Sequence, residues 1–357
     1  MVEIDKLLGL MVKKKASDLH LKVPCSPVLR IDGDLKVQTD LPELSGMDID
    51  QVFDSITTLH QKEIFNKDQE LDFSYSVPGI ARFRVNVLKQ RGTTNIAFRL
   101  VPIEVPTIDK LELPQILKKL VLKPRGLILV TGHTGSGKST TLAAMLNYLN
   151  ENQKCNVITI EDPVEFLHKD GKCIISQRDV GEDTHSFATA LIHALRHDPD
   201  VIVVGEMRDL DTISAAITAA ETGHLVLGTL HTFDAPQSID RIIDVFPPIQ
   251  QSQIKVELSQ IIEAVLSQVL IPRLTGGRVA AFEIMIANTA VRNLIRESKI
   301  HQLHNVMQTA SKEGMQTLNQ DLTHLVKREI ISREEALNRS SNQEQLIKFL
   351  DYAIEDQ

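Results

Sequence analysis

The sequence predicts an α/β protein: a mostly parallel sheet covered by helices on both faces, preceded by a small α+β unit and followed by a helical region. Three observations carry this expectation. From Gly126 onward the short apolar runs GLILV, NVITI, VIVVG and HLVLGTL alternate with helical stretches, the pattern of parallel strands buried on both faces. Gly132-His-Thr-Gly-Ser-Gly-Lys-Ser139 directly follows the first of these runs and precedes STTLAAMLNYL, giving the strand, loop and helix order that a G-x-x-x-x-G-K-[ST] phosphate loop requires. Upstream, three segments alternate apolar and polar residues with period two, which argues for half-exposed strands.

Taken in order, residues 1–101 open with a helix over Ile4–Lys15 and the extended PVLRIDGDLKV with its Asp-Gly turn signal. A polar helical segment follows from Asp48 to Asn66. Next come the strands LDFSYSV, ARFRVNVLK and TNIAFRLV, separated by Pro78-Gly79 and Arg91-Gly92. Pro102, Pro106, Pro114 and Pro124 mark residues 102–125 as a linker with one short helix. Residues 126–288 hold the parallel-sheet core and end with a strand from Arg278 to Met285. Residues 289–357 read as helical. In TAVRNLIRE (289–297), Val291, Leu294 and Ile295 fall on one helix face, and Arg292 and Arg296 form a neighbouring charged row.

Composition excludes some classes of function and permits others. At 357 residues the chain has room for two or three domains, and 42% hydrophobic with 24% charged residues is ordinary for a globular protein. The formal net charge of -8 argues against nucleic acid as the principal partner, because phosphate backbones demand a concentrated basic surface. Lys13-Lys14-Lys15 is too short to reverse that and reads as a solvated helix end. Cys25, Cys155 and Cys173 form no CxxC pair, so neither a zinc site nor a disulfide framework is indicated, and a reducing cytoplasm fits. No apolar run approaches the roughly 18 residues of a membrane span, and MVEIDKLLGLMVKKK lacks the order of a secretory signal. Work at a membrane would then require recruitment.

The chemistry concentrates at the ends of the apolar runs. Gly132, Thr134, Gly135, Ser136, Gly137, Lys138, Ser139 and Thr140 are the expected phosphate-binding set. The glycines let backbone N–H groups turn inward, and the helix N-terminus adds its positive dipole end. Lys138 is expected to reach the β- and γ-phosphates of ATP, and Ser139 to ligate Mg²⁺. In PDVIVVGEMRD (199–209), Gly205 stands where an aspartate would often help hold the metal. Mg²⁺ keeps several waters and needs few protein oxygens, so Ser139 suffices as the direct ligand, with Glu206 and Glu161 acting through water. Glu206 is expected to position the attacking water. Glu161-Asp162 ends the strand VITI and belongs beside Glu206 at the carboxyl edge of the sheet, where open α/β folds bind ligands. Either acidic pair taken alone also fits an N-cap or a solvated turn. His231, at the same edge, is expected to sense the γ-phosphate. His224 begins that strand and fits a capping role equally well.

Together, GHTGSGKST, ITIEDPVEF (158–166), RHDPDVIVVGEMRD (196–209) and ETGHLVLGTLHT (221–232) closely resemble the Walker A, Asp-box, Walker B and His-box stretches of the secretion ATPase superfamily of type II and type IV pilus motors. That superfamily characteristically carries Gly-Glu in Walker B. Within it the chain is most similar to the pilus retraction ATPases: the N-terminal region is short, the tetracysteine module is missing, and TAVRNLIRE resembles their AIRNLIRE motif with Val291 in place of isoleucine. His133 replaces the more usual proline of the loop. The resemblance implies a PAS-like N-terminal domain, a RecA-like ATPase domain and a homohexameric ring, with ATP lying between domains and beside a neighbouring subunit. Arg84 and Arg99 match arginines that the family projects toward the phosphates, a task suited to a permanent charge on a planar fork. Arg82 and Arg91 fit that role or plain solvation of a sheet face.

The resemblance further implies a cytoplasmic enzyme, peripheral at the inner face of the cytoplasmic membrane. There it would engage an inner-membrane platform protein, act indirectly on the pilin filament to retract a type IV pilus, and require no nucleic acid. An accessory retraction, extension or type II secretion ATPase is the nearest alternative. A non-hydrolysing nucleotide-binding scaffold and a nucleic-acid translocase belong to other classes; the full set of acidic and histidine edge residues argues against the first and the charge balance against the second.

Overall fold

The computed structural model describes residues 3–31, 33–101 and 105–355, so Asp32 of the Asp-Gly turn and Pro102 lie outside the described residues. The chain divides into two compact units, Met1–Glu104 with Glu165–Leu167, and Val105–Val164 with His168–Gln357.

The first unit contains α1 (Ile4–Lys13), β1 (Asp18–Leu21), β2 (Val28–Ile31), β3 (Asp34–Val37), α2 (Gly46–Ile56), α3 (Leu59–Asp68), β4 (Glu70–Val77), β5 (Ala81–Gln90) and β6 (Thr93–Leu100). Its strands pair throughout as antiparallel neighbours in the order β3-β2-β1-β6-β5-β4. The period-two alternation does what it should: Phe83, Val85 and Val87 of β5 and Ile96 and Phe98 of β6 turn inward with Leu8, Met11, Ile49, Val52 and Phe65 of the helices. The single helix expected from Asp48 to Asn66 is in fact two. Thr58 caps the second, its N–H donating to Gln61 Oε1 at 2.8 Å while its Oγ1 accepts from Gln61 N at 3.3 Å. That reciprocal capping box starts a new helix at Leu59 and satisfies two of its otherwise unpaired N–H groups. The first helix also ends earlier than expected, since Lys15 takes φ 53°.

The second unit contains α4 (Ile116–Val121), β7 (Gly126–Thr131), α5 (Lys138–Asn152), β8 (Asn156–Glu161), β9 (Ile174–Asp179), α6 (Phe187–Ala194), β10 (Val201–Val204), α7 (Leu210–Glu221), β11 (Leu225–Leu230), α8 (Ala235–Asp244), α9 (Pro248–Ile261), β12 (Ile262–Pro272) and β13 (Arg278–Ile286). Helices α10 (Thr289–Arg296), α11 (Leu303–Thr309), α12 (Leu318–Lys327), α13 (Arg333–Arg339) and α14 (Gln343–Glu355) complete it. The sheet runs β13-β12-β7-β11-β10-β8-β9, with every pair parallel except the edge pair β12–β13. Alternate residues of β7 serve opposite faces. Leu127 and Leu129 join α7, α8 and α9 in one core, and Ile128 and Val130 join α4 and α5 in the other. This is why the strands read as continuous apolar runs.

Several elements differ from the sequence reading. Within the span expected as a linker, Ile108, Leu113, Leu117, Leu120 and Val121 are buried in the second of those cores. Strands β9 and β12 are additional to the expected four parallel strands, and β12 is internal to the sheet, lying between β7 and the edge strand β13. The charged row of α10 is split: Arg296 is exposed, but Arg292 donates to the Ala287, Ser259 and Gln260 carbonyls at 3.1, 2.9 and 2.7 Å. Val291 and Ile295 are fully buried as expected. Among the described residues no helix is long and apolar enough to cross a membrane.

Candidate nucleotide site

The loop from Gly132 to Gly137 leaves the end of β7 and enters α5 at Lys138. Its first glycine lies flat against β12. A Cβ at Gly132, whose φ is 142°, would stand 2.4 Å from the Gln268 carbonyl oxygen and 2.6 Å from Ser136 Oγ, so no side chain fits there. Thr134 and Gly135 form the exposed rim and Ser136 the buried floor. Lys138 folds back over the loop, its Nζ donating to the Gly132 and His133 carbonyls at 2.9 and 3.2 Å. Ser139 and Thr140 fall in the first turn of α5, where unpaired N–H groups and the helix dipole favour an anion.

Strand register gathers the remaining groups at the same edge. Thr131 pairs with Leu230, Gly228 with Val204, and Val204 with Ile160, so the loop, His231, Gly205-Glu206 and Glu161 leave successive strand ends together. Glu206 Oε1 accepts from Arg208 Nε and lies 2.8 Å from His231 Nε2. The Glu206 side chain is only 18% exposed and that of His231 40%, so the pair sits half-sheltered at the mouth of the edge. The bond to Glu206 raises the pKa of Arg208, whose charge is permanent in any case. Glu161 Oε1 accepts from Thr159 Oγ1 at 2.6 Å and from Gln177 Nε2 at 3.2 Å.

Gly205 has its own steric reason. Its N–H donates to the Ile160 carbonyl at 2.8 Å, and a Cβ on it would lie 3.0 Å from that oxygen and 3.2 Å from Glu161 Cα. Both obstacles are backbone, which cannot swing aside as a side chain does.

His224 lies at the opposite, amino edge. Its Nδ1 is 2.9 Å from the Ala219 carbonyl and 3.2 Å from Thr222 Oγ1, which closes the end of α7 and settles it as a capping residue. Arg84 and Arg99 are on the first unit, directly opposite each other on β5 and β6. Like charges so placed repel, and Asp18 answers them: it pairs across from Arg99, whose Nε donates to Asp18 Oδ1 at 2.8 Å. Burial pushes the Asp18 carboxyl up, but the Ser17 hydroxyl and the Arg99 guanidinium outweigh it and leave its pKa below the ordinary value.

The sequence reading missed two groups. Arg208 carried a signal, lying two residues beyond Glu206 in a strand-end motif. Gln268 carried none, because the strand bearing it was itself not evident. Among the described residues no cluster of three or more His, Cys, Asp or Glu side chains could hold a metal ion. A metal here would depend on the Ser139 hydroxyl, the two strand-end carboxylates and the bound phosphates. Such hard oxygen donors suit Mg²⁺.

Comparison with known proteins agrees with this architecture. Residues 2–338 match the family described as type II/IV secretion system protein. The type IV pilus retraction ATPase PilT of Pseudomonas aeruginosa is 48% identical over 95% of this chain and 98% of its own. The type IV pilus ATPase PilU of the same organism is 40% identical over 94% of this chain and 88% of its own. A crystal structure of the pilus retraction motor PilT with bound ADP superposes with a TM-score of 0.91 at 46% identity, covering 98% of this chain and all of the other. The chain belongs to the type II/IV secretion system protein family. It is an ATP-hydrolysing enzyme of the pilus-retraction kind.

Proposed function

We propose that ATP binds at residues 132–140 and that its hydrolysis drives retraction of a type IV pilus, as in twitching motility. The observation that carries the site is the gathering of the glycine-rich loop and the Glu206–His231 pair at successive strand ends of one sheet edge. In this reading the unit 105–355 is a RecA-like motor domain and the unit 3–101 a PAS-like domain. Backbone N–H groups of the loop cradle the phosphates, and Lys138 exchanges its two carbonyl partners for phosphate oxygens. Ser139 would hold Mg²⁺ directly and Glu161 and Glu206 would hold it through water, and the ion would supply positive charge against the β- and γ-phosphates. Glu206 orients the attacking water and takes its proton. His231, 2.8 Å from the same carboxylate, couples that base to the γ-phosphate position.

Chains assemble as a homohexamer in which Arg84 and Arg99 stabilise phosphate charge. The ring works in the cytoplasm, held at the inner membrane face by the pilus platform protein, and acts on the pilin filament through it. The accessory retraction role is the nearest alternative, and the 48% against 40% identity to the two Pseudomonas enzymes favours the principal one.

The test joins enzyme and cell. Lys138→Ala should lose ATP turnover and weaken ATP binding. Glu206→Gln should bind ATP normally yet hydrolyse it at less than about a tenth of the parental rate, a loss exceeding about 1.4 kcal/mol in transition-state stabilisation. In the host, either variant should leave excess immobile pili on the cell surface. Bald cells would assign the chain to extension, and a brisk Glu206→Gln enzyme would remove Glu206 from the chemistry.

A further inference from the structure

The floor of the glycine-rich loop is made by a residue outside every nucleotide-binding motif. Gln268, on β12, is 1% exposed, and its Nε2 donates to the Ser136 carbonyl at 2.6 Å. It is also the surface on which the loop rests. Its own carbonyl is the atom that forbids a side chain at Gly132, and its Nε2 lies 3.1 Å from where a Cβ of Gly137 would be. Strand β12 is fixed on both sides, pairing Ser267 with Thr131 of β7 and Gln268 with Phe282 of β13. The Thr131 hydroxyl donates to Ser267 Oγ at 2.8 Å. The amide of Gln268 is thus presented from a rigid, buried strand.

Peptide geometry gives that hydrogen bond a consequence. The described cis peptides are Val23-Pro24 and Asp162-Pro163, so the Ser136–Gly137 peptide is trans, and its C=O and N–H point in opposite directions. Drawing the Ser136 carbonyl down onto Gln268 therefore turns the Gly137 N–H away from Gln268. Gly137, at φ 92°, completes the turn into α5. The arrangement is retained at a cost, because Ser136 Oγ and Gln268 Oε1 are both buried without a hydrogen-bond partner among the described residues. Unpaired buried polar atoms each oppose folding, and in native proteins each calls for an explanation.

We propose that Gln268 is a positioning residue for nucleotide binding: by anchoring the Ser136 carbonyl it aims the Gly137 N–H at the β-phosphate that ATP and ADP share. The proposal rests on the reading of residues 132–140 as the nucleotide site. Gln268 touches no substrate; it sets in advance the direction of a donor that would otherwise have to reorganise on binding.

Gln268→Met keeps the length of the side chain and removes the donor. ATP and ADP affinities, measured with fluorescent analogues, should fall by the same factor of about ten, equivalent to about 1.4 kcal/mol. At saturating ATP, kcat should stay within about twofold of the parent, and the nucleotide-free protein should melt as the parent does. A lower melting temperature with unchanged affinity would assign Gln268 to packing alone and overturn the proposal. Gln268→Glu supplies an independent arm that decides the matter even if the methionine variant does not fold. A protonated carboxyl can donate to the Ser136 carbonyl and a carboxylate cannot, so the ratio of variant to parental dissociation constants for ADP should fall toward one as pH drops from about 8 to about 5.5. A ratio well above one that does not change with pH would overturn the proposal. Lys138→Ala is the control: if it too binds ADP like the parent, the nucleotide-site reading fails and this proposal with it. If Lys138→Ala binds weakly while Gln268→Met binds normally, only the proposal fails.

Discussion

Gly205 shows how one position can answer two demands. Its N–H completes the ladder to Ile160 and its missing side chain lets β10 close against the Glu161 backbone, so an aspartate there would press on the backbone of Ile160 and Glu161. Gly205 is therefore a packing solution, and the acidic group at this strand end is Glu206, which meets His231 and Arg208. Gly205→Ala tests this with the smallest possible change. Overpacking of this kind costs about 1–3 kcal/mol. The variant should melt at a lower temperature and lose ATP turnover by a larger factor than it loses ADP affinity, because Glu161 and Glu206 shift while the loop at Gly132 does not. Parental turnover in Gly205→Ala would show that the gap is slack and that the glycine has another cause.

Between elements, β12 does most of the organising and is the one the sequence concealed. Helix α9 ends at Ile261 and β12 begins at Ile262, with no glycine or proline from Gln250 to Ile271 to mark the change. The apolar positions of QIIEAVLSQVLIP continue a helical reading as readily as they start a strand. What decides is pairing with β7 and β13, a non-local term that no window of sequence contains. The phosphate loop, the strand-end acids and His231 were legible for the opposite reason, since each belongs to a short motif whose geometry is local. Their mutual contacts were not, because the 2.8 Å approach of His231 to Glu206 depends on β10 and β11 being neighbours. Arg292 repeats the lesson. It sits where a charged helical row was expected, yet it caps the last carbonyls of α9 and pairs with Glu263 at 2.9 Å, a carboxylate that Lys123 also contacts. Cations at a helix C-terminus are stabilising, and removing this one leaves several acceptors and a largely buried carboxylate short of a partner. Arg292→Ala should therefore cost about 2 kcal/mol or more, read as a lower melting temperature. The exposed Arg296→Ala should fall within about 0.5 kcal/mol of the parent. Arg296 is then the residue with which to ask whether this helix transmits motion, since its loss leaves the fold in place. Equal effects of the two substitutions would refute the distinction.

At the scale of the whole molecule, the arginines assigned to phosphate charge and the loop that holds the phosphates belong to different units of the chain. Asp18 holds Arg99 by its Nε alone, and the Arg99 side chain is 70% exposed, so the far end of its guanidinium fork remains available for a second anion. Arg84 stands opposite it and adds a charge to the same sheet face, which concentrates positive potential on a chain whose net charge is -8. In a closed ring built from identical heterologous contacts, such a face meets a different surface of the next subunit. That arrangement lets one chain complete its neighbour's site. Arg84→Ala and Lys138→Ala should each be nearly inactive as uniform rings, one lacking the arginine and the other the loop lysine. In rings mixed at random in equal amounts, about a quarter of the interfaces join an intact loop from the first variant to intact arginines from the second, and ATP turnover should return in proportion to them. The measurement is ATPase rate against mixing ratio, with subunit exchange verified by differential labelling. A maximum near equal mixing establishes that the arginines act across the boundary. A straight line between the two inactive parents, in rings shown to be mixed, means that each chain's arginines serve its own nucleotide, and the ring then couples its subunits by some contact other than a shared active site.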